Sequence, residues 1–230
     1  GNRVLVLAKC SNENLDDVKL VAIILIVDKI REGAKQTLQY FREQGLDIKI
    51  ISGDNHITVS EIAKRVGLKN SDKCVDATTL KNKKDIEKAS KIYSVFGRVT
   101  PEQKKDLVSA LKGNGHVVAM TGDGVNDVMA LKEANCSIAM ANGSDVAKSA
   151  SNLVLLDNNF ESLPFVLYEG RRVINNIEKV ASLFLNKTIY SILLAIVITL
   201  INMQYPFVPV QLTVISAFTI GLPSFVFALE

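Results

Sequence analysis

Acidic side chains disappear from the C-terminal stretch of this sequence. No Asp or Glu lies between Val180 and Leu229, and after Lys179 the only charged residues are Lys187 and Glu230. The chain therefore divides into a charged, soluble part and an apolar tail. Cysteine is scarce as well. Cys10, Cys74 and Cys136 are odd in number and show no CxxC spacing, which excludes a disulfide-stapled scaffold and fits a reducing cytoplasm. The net charge of +3 is too small to argue for a nucleic-acid partner. No signal peptide opens the chain, which starts Gly1-Asn2-Arg3 and reads as part of a longer polypeptide.

The stretch richest in chemistry is Met120-Thr121-Gly122-Asp123-Gly124-Val125-Asn126-Asp127. It follows the apolar run Val117–Met120 and precedes a helical pattern from Val128 to Ala134. A loop of this kind lies at the carboxyl edge of a parallel sheet, where ligands bind. Gly122 and Gly124 let backbone amides approach a ligand. Asp123 and Asp127 have no His or Cys nearby, which suits a hard cation such as Mg²⁺, the usual partner of a phosphate. Asp127 is then either a ligand or a support for one.

Upstream, Val4–Ala8 is a short strand. Leu20–Val27 is a continuous apolar run, the pattern of a strand buried on both faces, and it ends at Asp28. A helix is predicted over 32–44 with Gly45 as its stop, then a strand over 47–51 and the loop Ser52-Gly53-Asp54. A second helix follows over 57–66, capped by Gly67. The Lys-rich segment 72–91 reads as loop and short helix. A weak strand over 93–96 leads to Thr100, an N-cap with Pro101 at the first helical position and Gln103 completing a capping box. That helix carries Lys104. Beyond the opening loop, strands are predicted over 136–140 and 153–156, with a single-turn helix over 144–149. Alternating strand, loop and helix give an α/β sheet with helices on both faces.

From Phe160 the pattern changes. A long helix opens near Pro164, and its apolar part, 180–203, would be about 36 Å long, enough to span a bilayer. A loop with two prolines leads to a second apolar run over 210–229. Arg171, Arg172 and Lys179 precede the first run and the connecting loop is uncharged, so the α/β part is expected on the cytoplasmic side. The Ser52 hydroxyl and the backbone amides at Ser52-Gly53 suit phosphate oxygens, and Lys104 suits negative charge developing on a transferred phosphoryl group.

The order serine, lysine, paired aspartates resembles the haloacid-dehalogenase superfamily, and its wording resembles a P-type ATPase. Ile51-Ser52-Gly53-Asp54 looks like the TGD-type motif, Gly97–Lys104 (GRVTPEQK) looks like RVxPxxK, and Thr121–Asp127 is identical to TGDGVND. Asp28-Lys29-Ile30-Arg31 resembles DPPR without its prolines, and Asn175-Asn176 also fits. The resemblance implies a Rossmann-like parallel sheet of haloacid-dehalogenase type followed by a transmembrane helical hairpin. Residues 1–27 would be the return from a nucleotide-binding domain, 28–160 the phosphorylation domain, 161–179 a stalk, and 180–203 and 210–229 membrane helices.

The function implied is that of an ATP-driven cation pump working through an aspartyl phosphate. Asp28, Arg31 and Arg98 would lie by ATP. Ser52, Gly53, Asp54 and Lys104 would serve the phosphoryl group, Asp123 would bind Mg²⁺, and Asp127 would support that site. The setting would be multi-pass in a bacterial plasma membrane. The partners would be ATP, a transported cation, the lipid bilayer and the upstream remainder of the pump. The family's nucleophile, the first Asp of DKTGT, is absent from this sequence. These residues alone are therefore expected to be inactive, and their sheet to lack its central strand.

The aligned ion-site positions are Thr188 and Ser191 on the first helix and Ser216, Thr219 and Ile220 on the second. Lys187 beside them is an intramembrane charge, a functional hypothesis by default. Gly221-Leu222-Pro223 matches the family's break in the second helix. The apolar runs lack cysteine, unlike copper and zinc pumps with CPC motifs. The pattern resembles a bacterial cation-pump branch for which Ca²⁺ is the expected ion. The alternative is a membrane-anchored phosphatase of the same superfamily, which needs its own nucleophile. Asp16 and Asp17 do not end an apolar strand, which leaves Asp28.

Overall fold

The computed structural model describes residues 3–10, 18–27 and 30–229. Asp16, Asp17 and Asp28 lie outside them. The chain forms two units that divide at Pro164.

The first unit begins with an antiparallel ribbon of β1 (Arg3–Cys10) and β2 (Val18–Ile26), paired from Arg3↔Ile26 to Cys10↔Val18 with an irregularity at Leu7/Ala8. The expectation that this apolar run is buried on both faces is not met among the described residues. Alternate residues of a strand face opposite sides, yet neighbours such as Ile23, Ile24 and Leu25 are all exposed.

Then come α1 (Ala34–Glu43), β3 (Ile50–Ile51), α2 (His56–Arg65), β4 (Cys74–Asp76), α3 (Lys83–Ile92), β5 (Val95–Gly97) and α4 (Pro101–Gly113). β4 was hidden in the stretch read as loop and short helix. It is three residues long in a Lys-rich setting, too short for periodicity to register. The order β3-β5-β4 makes a parallel sheet with β5 in the middle. Val95 packs with Val59 and Ala63 of α2, while Phe96 packs with Ile86 and Ala89 of α3 and Leu107 of α4. Neighbouring residues of β5 thus serve opposite faces, and helices cover both.

β6 (Ala119–Gly122), α5 (Val128–Glu133), β7 (Cys136–Met140), α6 (Asp145–Ala150) and β8 (Leu153–Leu155) follow. β6-β7-β8 is a second parallel sheet. β6 starts two residues later than the apolar run predicts. The Val118 N–H is taken by the Asn135 side chain, at Oδ1, 3.0 Å away, and its carbonyl accepts from the Asn135 and Cys136 N–H groups, so Val118 meets the start of β7 just ahead of the regular ladder. The expected parallel sheet lacking its central strand is found as two parallel sheets among the described residues, with β3 and β6 as terminal strands. β7 is almost wholly buried, whereas Ala119 and Thr121 of β6 are exposed.

The second unit holds most of α7 (Leu163–Ile201), together with α8 (Pro209–Ser216), a π-helical turn over Ala217–Gly221, and α9 (Leu222–Leu229). Residues 160–201 and 209–227 are two helical stretches long and apolar enough to cross a membrane. The wide turn sits where Gly221-Leu222-Pro223 predicts a break, because Pro223 has no N–H for the carbonyls one turn earlier. Asn176 Nδ2 donates to the Phe227 carbonyl at 3.0 Å, and Lys179 Nζ stands 5.2 Å from the centre of the Phe227 ring.

Candidate active site

The chemistry gathers at the carboxyl edge of the two sheets. Thr100 caps α4 as the sequence predicts. Its side chain accepts from the Gln103 N–H and the Gln103 side chain accepts from the Thr100 N–H. Gln103 Nε2 also donates to the carbonyls of Ala77 and Leu80, at 2.8 and 3.2 Å, tying α4 to the turn after β4. The next residue, Lys104, is thereby aimed inward. Its ammonium donates to Asp127 Oδ1 at 2.6 Å, and both side chains are only 11% exposed. Asp127 Oδ2 accepts from the Gly124 N–H at 3.1 Å. A buried ion pair persists only with good geometry and further hydrogen bonds, and this one has both. Gly122 is required here, since a Cβ on it would lie 2.6 Å from Asp127 Cβ.

Asp123 stands exposed at the end of β6. Its carbonyl accepts from the Ser144 N–H at 2.8 Å. A Cβ on Gly143 would lie 2.8 Å from that same oxygen, so the Asn142-Gly143-Ser144 loop after β7 packs on the Asp123 backbone. Sequence reading missed this brace; its signal was the Gly-Ser pair following a strand.

On the first sheet the Ser52 N–H donates to the Phe96 carbonyl at 2.9 Å. That corrects the expectation that its amide is open to phosphate. Ser52 Oγ accepts from the Asp54 N–H at 3.1 Å, which leaves its own hydroxyl hydrogen for a ligand. The Val99 N–H donates to the Ser52 carbonyl and the Arg98 N–H to the Asp54 carbonyl, at 3.0 and 2.8 Å. Arg98 has φ 53°, in the left-handed region. Arg98 Nη1 lies 3.2 Å from Asp76 Oδ2. The Thr78 hydroxyl foremost, then the Thr78 N–H, hold the Asp76 carboxyl below the usual carboxylate range, with Arg98 adding to them. Sequence reading missed Asp76 altogether. Arg31 is exposed.

In the second unit a cavity of about 290 Å³ is lined by Lys187, Ser191, Ser216, Thr219 and Ile220, five of the predicted ion-site residues, and also by Asn186 and Tyr190. Thr188 is not on its wall; its hydroxyl donates to the Phe184 carbonyl at 3.0 Å. The hydroxyls of Ser216 and Thr219 donate to the carbonyls of Leu212 and Ile215, at 2.6 and 2.7 Å. Their lone pairs remain as acceptors, the right polarity for a cation.

Comparison with known proteins agrees with this architecture. Residues 4–135 match the haloacid dehalogenase-like hydrolase family. The chain is 46% identical to a probable cation-transporting ATPase of Streptococcus pneumoniae, a match spanning 100% of this chain and 31% of that protein. It is 42% identical to the calcium-transporting ATPase CtpE of Mycobacterium bovis, across 100% of this chain and 30% of that one. The chain thus spans about a third of the length of these curated relatives. A solved zinc-transporting PIB-type ATPase superposes with a TM-score of 0.67 at 22% identity, covering 99% of this chain and 35% of that one, which supports the shared fold. The chain belongs to the haloacid dehalogenase-like hydrolases.

Proposed function

We propose that this chain is the C-terminal-side part of an ATP-driven cation pump in a bacterial plasma membrane, with its α/β unit in the cytoplasm. The observation that carries the reading is the buried Lys104–Asp127 pair at the edge of the second sheet, on the loop of Asp123. Phosphoryl transfer to a carboxylate is catalysed mostly by positioning and charge, and this edge supplies both. The Ser52 hydroxyl and the Gly53 amide bind phosphoryl oxygens, and Asp54 fixes the loop through its N–H on Ser52 Oγ. Lys104 faces the charge developing on the transferred group. Arg98, with Asp28 and Arg31, serves ATP.

Both carboxylate oxygens of Asp127 already accept a hydrogen bond, Asp123 is exposed, and no cluster of three or more His, Cys, Asp or Glu occurs among the described residues. Such a donor set fits Mg²⁺, which keeps water and phosphate in its shell and needs only one or two carboxylates. Asp123 would be the ligand, with Asp127 orienting the loop behind it. When bound, Mg²⁺ neutralises phosphate charge. The nucleophilic aspartate is supplied by the upstream remainder of the pump, on a strand that fits between β3 and β6 and joins the two sheets.

The transported ion is read as Ca²⁺, from the names of the relatives, with Lys187, Ser191, Ser216 and Thr219 at its cavity and Thr188 behind them. Because Val180–Leu229 holds no carboxylate, the acidic ligands for such an ion come from other helices of the pump. The test is acid-stable phosphoenzyme formation from labelled ATP and Mg²⁺. The 230-residue chain is run beside a version extended upstream, across Ca²⁺, Mn²⁺, Mg²⁺, Na⁺ and K⁺. Labelling of the longer chain alone, modulated by Ca²⁺, is expected. Labelling of the 230-residue chain itself would put the nucleophile within it and overturn the reading in favour of a phosphatase-like enzyme acting through Asp28.

A further inference from the structure

Asp76 ends β4 outside every motif considered above, yet its carboxylate meets side chains from both neighbouring loops. Its Oδ1 accepts from the Thr78 N–H at 3.0 Å and from the Thr78 hydroxyl at 2.7 Å. Its Oδ2 accepts from Arg98 Nη1 at 3.2 Å, and His56 Nδ1 stands 3.4 Å from the same oxygen. Among the described residues His56 Nδ1 is a buried atom with no hydrogen-bond partner, and the Asp76 carboxylate is the acidic group beside it. Asp76 therefore receives a residue from each neighbouring loop: His56 from the start of α2, just past the Ser52 loop, and Arg98 from the end of β5.

The backbone repeats this convergence. A Cβ on Gly97 would lie 2.3 Å from both the backbone N and the Cα of His56. β5 thus passes directly beneath α2 before Arg98 turns into the left-handed region. That conformation is uncommon for a residue with a side chain and costs energy unless its surroundings fix it. The Arg98 N–H on the Asp54 carbonyl fixes the backbone, and Asp76 fixes the guanidinium. A guanidinium has five donors, and 51% of the Arg98 side chain is exposed, so most of the fork is left for an anionic ligand.

We propose that Asp76 is a positioning residue for nucleotide binding. Its charge holds the Arg98 fork against the Ser52–Asp54 loop, so that Arg98 meets ATP already oriented, while Asp76 itself touches neither ATP nor the reacting phosphoryl group. This inference rests on the pump reading above, in which Arg98 serves ATP. The competing role is a plain one, in which Asp76 only caps the turn Ala77–Thr79. Asp76→Asn separates the two, because Asn caps as well as Asp but carries no charge for Arg98.

The experiment uses the complete pump polypeptide, purified and folded as judged by its thermal midpoint. Phosphoenzyme is measured against ATP concentration and, separately, from inorganic phosphate, which needs the phosphoryl site but not the nucleotide. D76N is expected to raise the ATP concentration for half-saturation about tenfold, the loss typical of one charge-assisted hydrogen bond, with labelling from inorganic phosphate unchanged. Adding D76N to Arg98→Gln should raise it little further, since Asp76 acts only through Arg98. If D76N does not fold, Arg98→Lys carries the test, because it keeps the charge and loses the fork. The same ATP-selective rise is then expected.

An unchanged ATP dependence would overturn the proposal. So would a parallel fall in labelling from ATP and from phosphate, or fully additive effects of D76N and R98Q. A wild-type pump that forms no phosphoenzyme from ATP would instead overturn the pump reading, so the two failures are told apart.

Discussion

In the first sheet the working loop, Ser52–Asp54, leans on the loop after its neighbour strand through two backbone hydrogen bonds, from Val99 and Arg98. In the second sheet the working loop at Asp123 leans on the loop after its neighbour strand through one, from Ser144. Each brace includes a glycine with no room for a Cβ, Gly97 against His56 and Gly143 against Asp123. The difference lies in the charges. The first sheet keeps its ion pair, Asp76–Arg98, at the partly exposed rim, while the second buries Lys104–Asp127. A rim pair can stay fixed and still offer its open donors to a ligand that comes and goes. A buried pair cannot reorient without leaving a charge unpaired, which suits a group that must stay in place throughout a reaction.

Substitutions can break this contrast, starting from the buried side. Lys104→Ala leaves Asp127 buried without its partner and should cost about 3–5 kcal/mol, read as a fall in the thermal midpoint of the complete protein together with loss of phosphoenzyme. If K104A melts like wild type, the pair is not buried in the working protein. Gly97→Ala forces a Cβ to 2.3 Å from the His56 backbone and should cost about 1–3 kcal/mol or more, because that obstacle cannot rotate away. Gly143→Ala meets Asp123 O at 2.8 Å and should cost less, while lowering the apparent Mg²⁺ affinity of phosphorylation. The reverse order of thermal midpoints would mean that the second brace is the stiffer one. Thr100→Ala removes the cap of α4 and should cost about 1 kcal/mol without changing the ATP dependence.

The smallest expected effect is in acid. An Asp76 carboxyl held below its ordinary value of 3.8 adds stability that is complete above that pH and is lost as pH falls through the lower folded value. Wild type should therefore lose its thermal midpoint more steeply than D76N below pH 3.8. Equal slopes would take the charge of Asp76 out of the brace.

What the sequence made legible was local. The Thr100 capping box, the Gly-Asp loop at Asp123 and the break at Pro223 each depend on residues within one turn of each other, and each stands where it was expected. What it concealed depends on partners far along the chain. Asp76 gains its meaning from His56 and Arg98, some twenty residues away on either side. The left-handed backbone of Arg98 is set by the Asp54 carbonyl and has no mark in the residue type. The run Leu20–Val27 reads as the inside of a protein because apolarity reports a need for cover, and no covering element occurs among the described residues. The break in the parallel sheet was legible only through the family resemblance and its missing strand, since hydrophobic pattern tells which segments are strands and says little about which strands pair.

The wide turn at Ala217–Gly221 carries a consequence of phase. Each residue of an α-helix advances the helix by about 100°, and a π turn absorbs a residue beyond that count. Leu222–Leu229 consequently faces a different direction from the one a regular continuation of Pro209–Ser216 would give it. Deleting one residue from the turn would restore a regular helix and leave Ser224 and Phe227 on the faces they now occupy, whereas straightening the turn at full length would swing both by about 100° relative to Ser216. A deletion thus removes the widened turn and keeps the heading, whereas a substitution that straightens the turn changes the heading, so the pair of variants separates what the turn presents from where it points the rest of the helix.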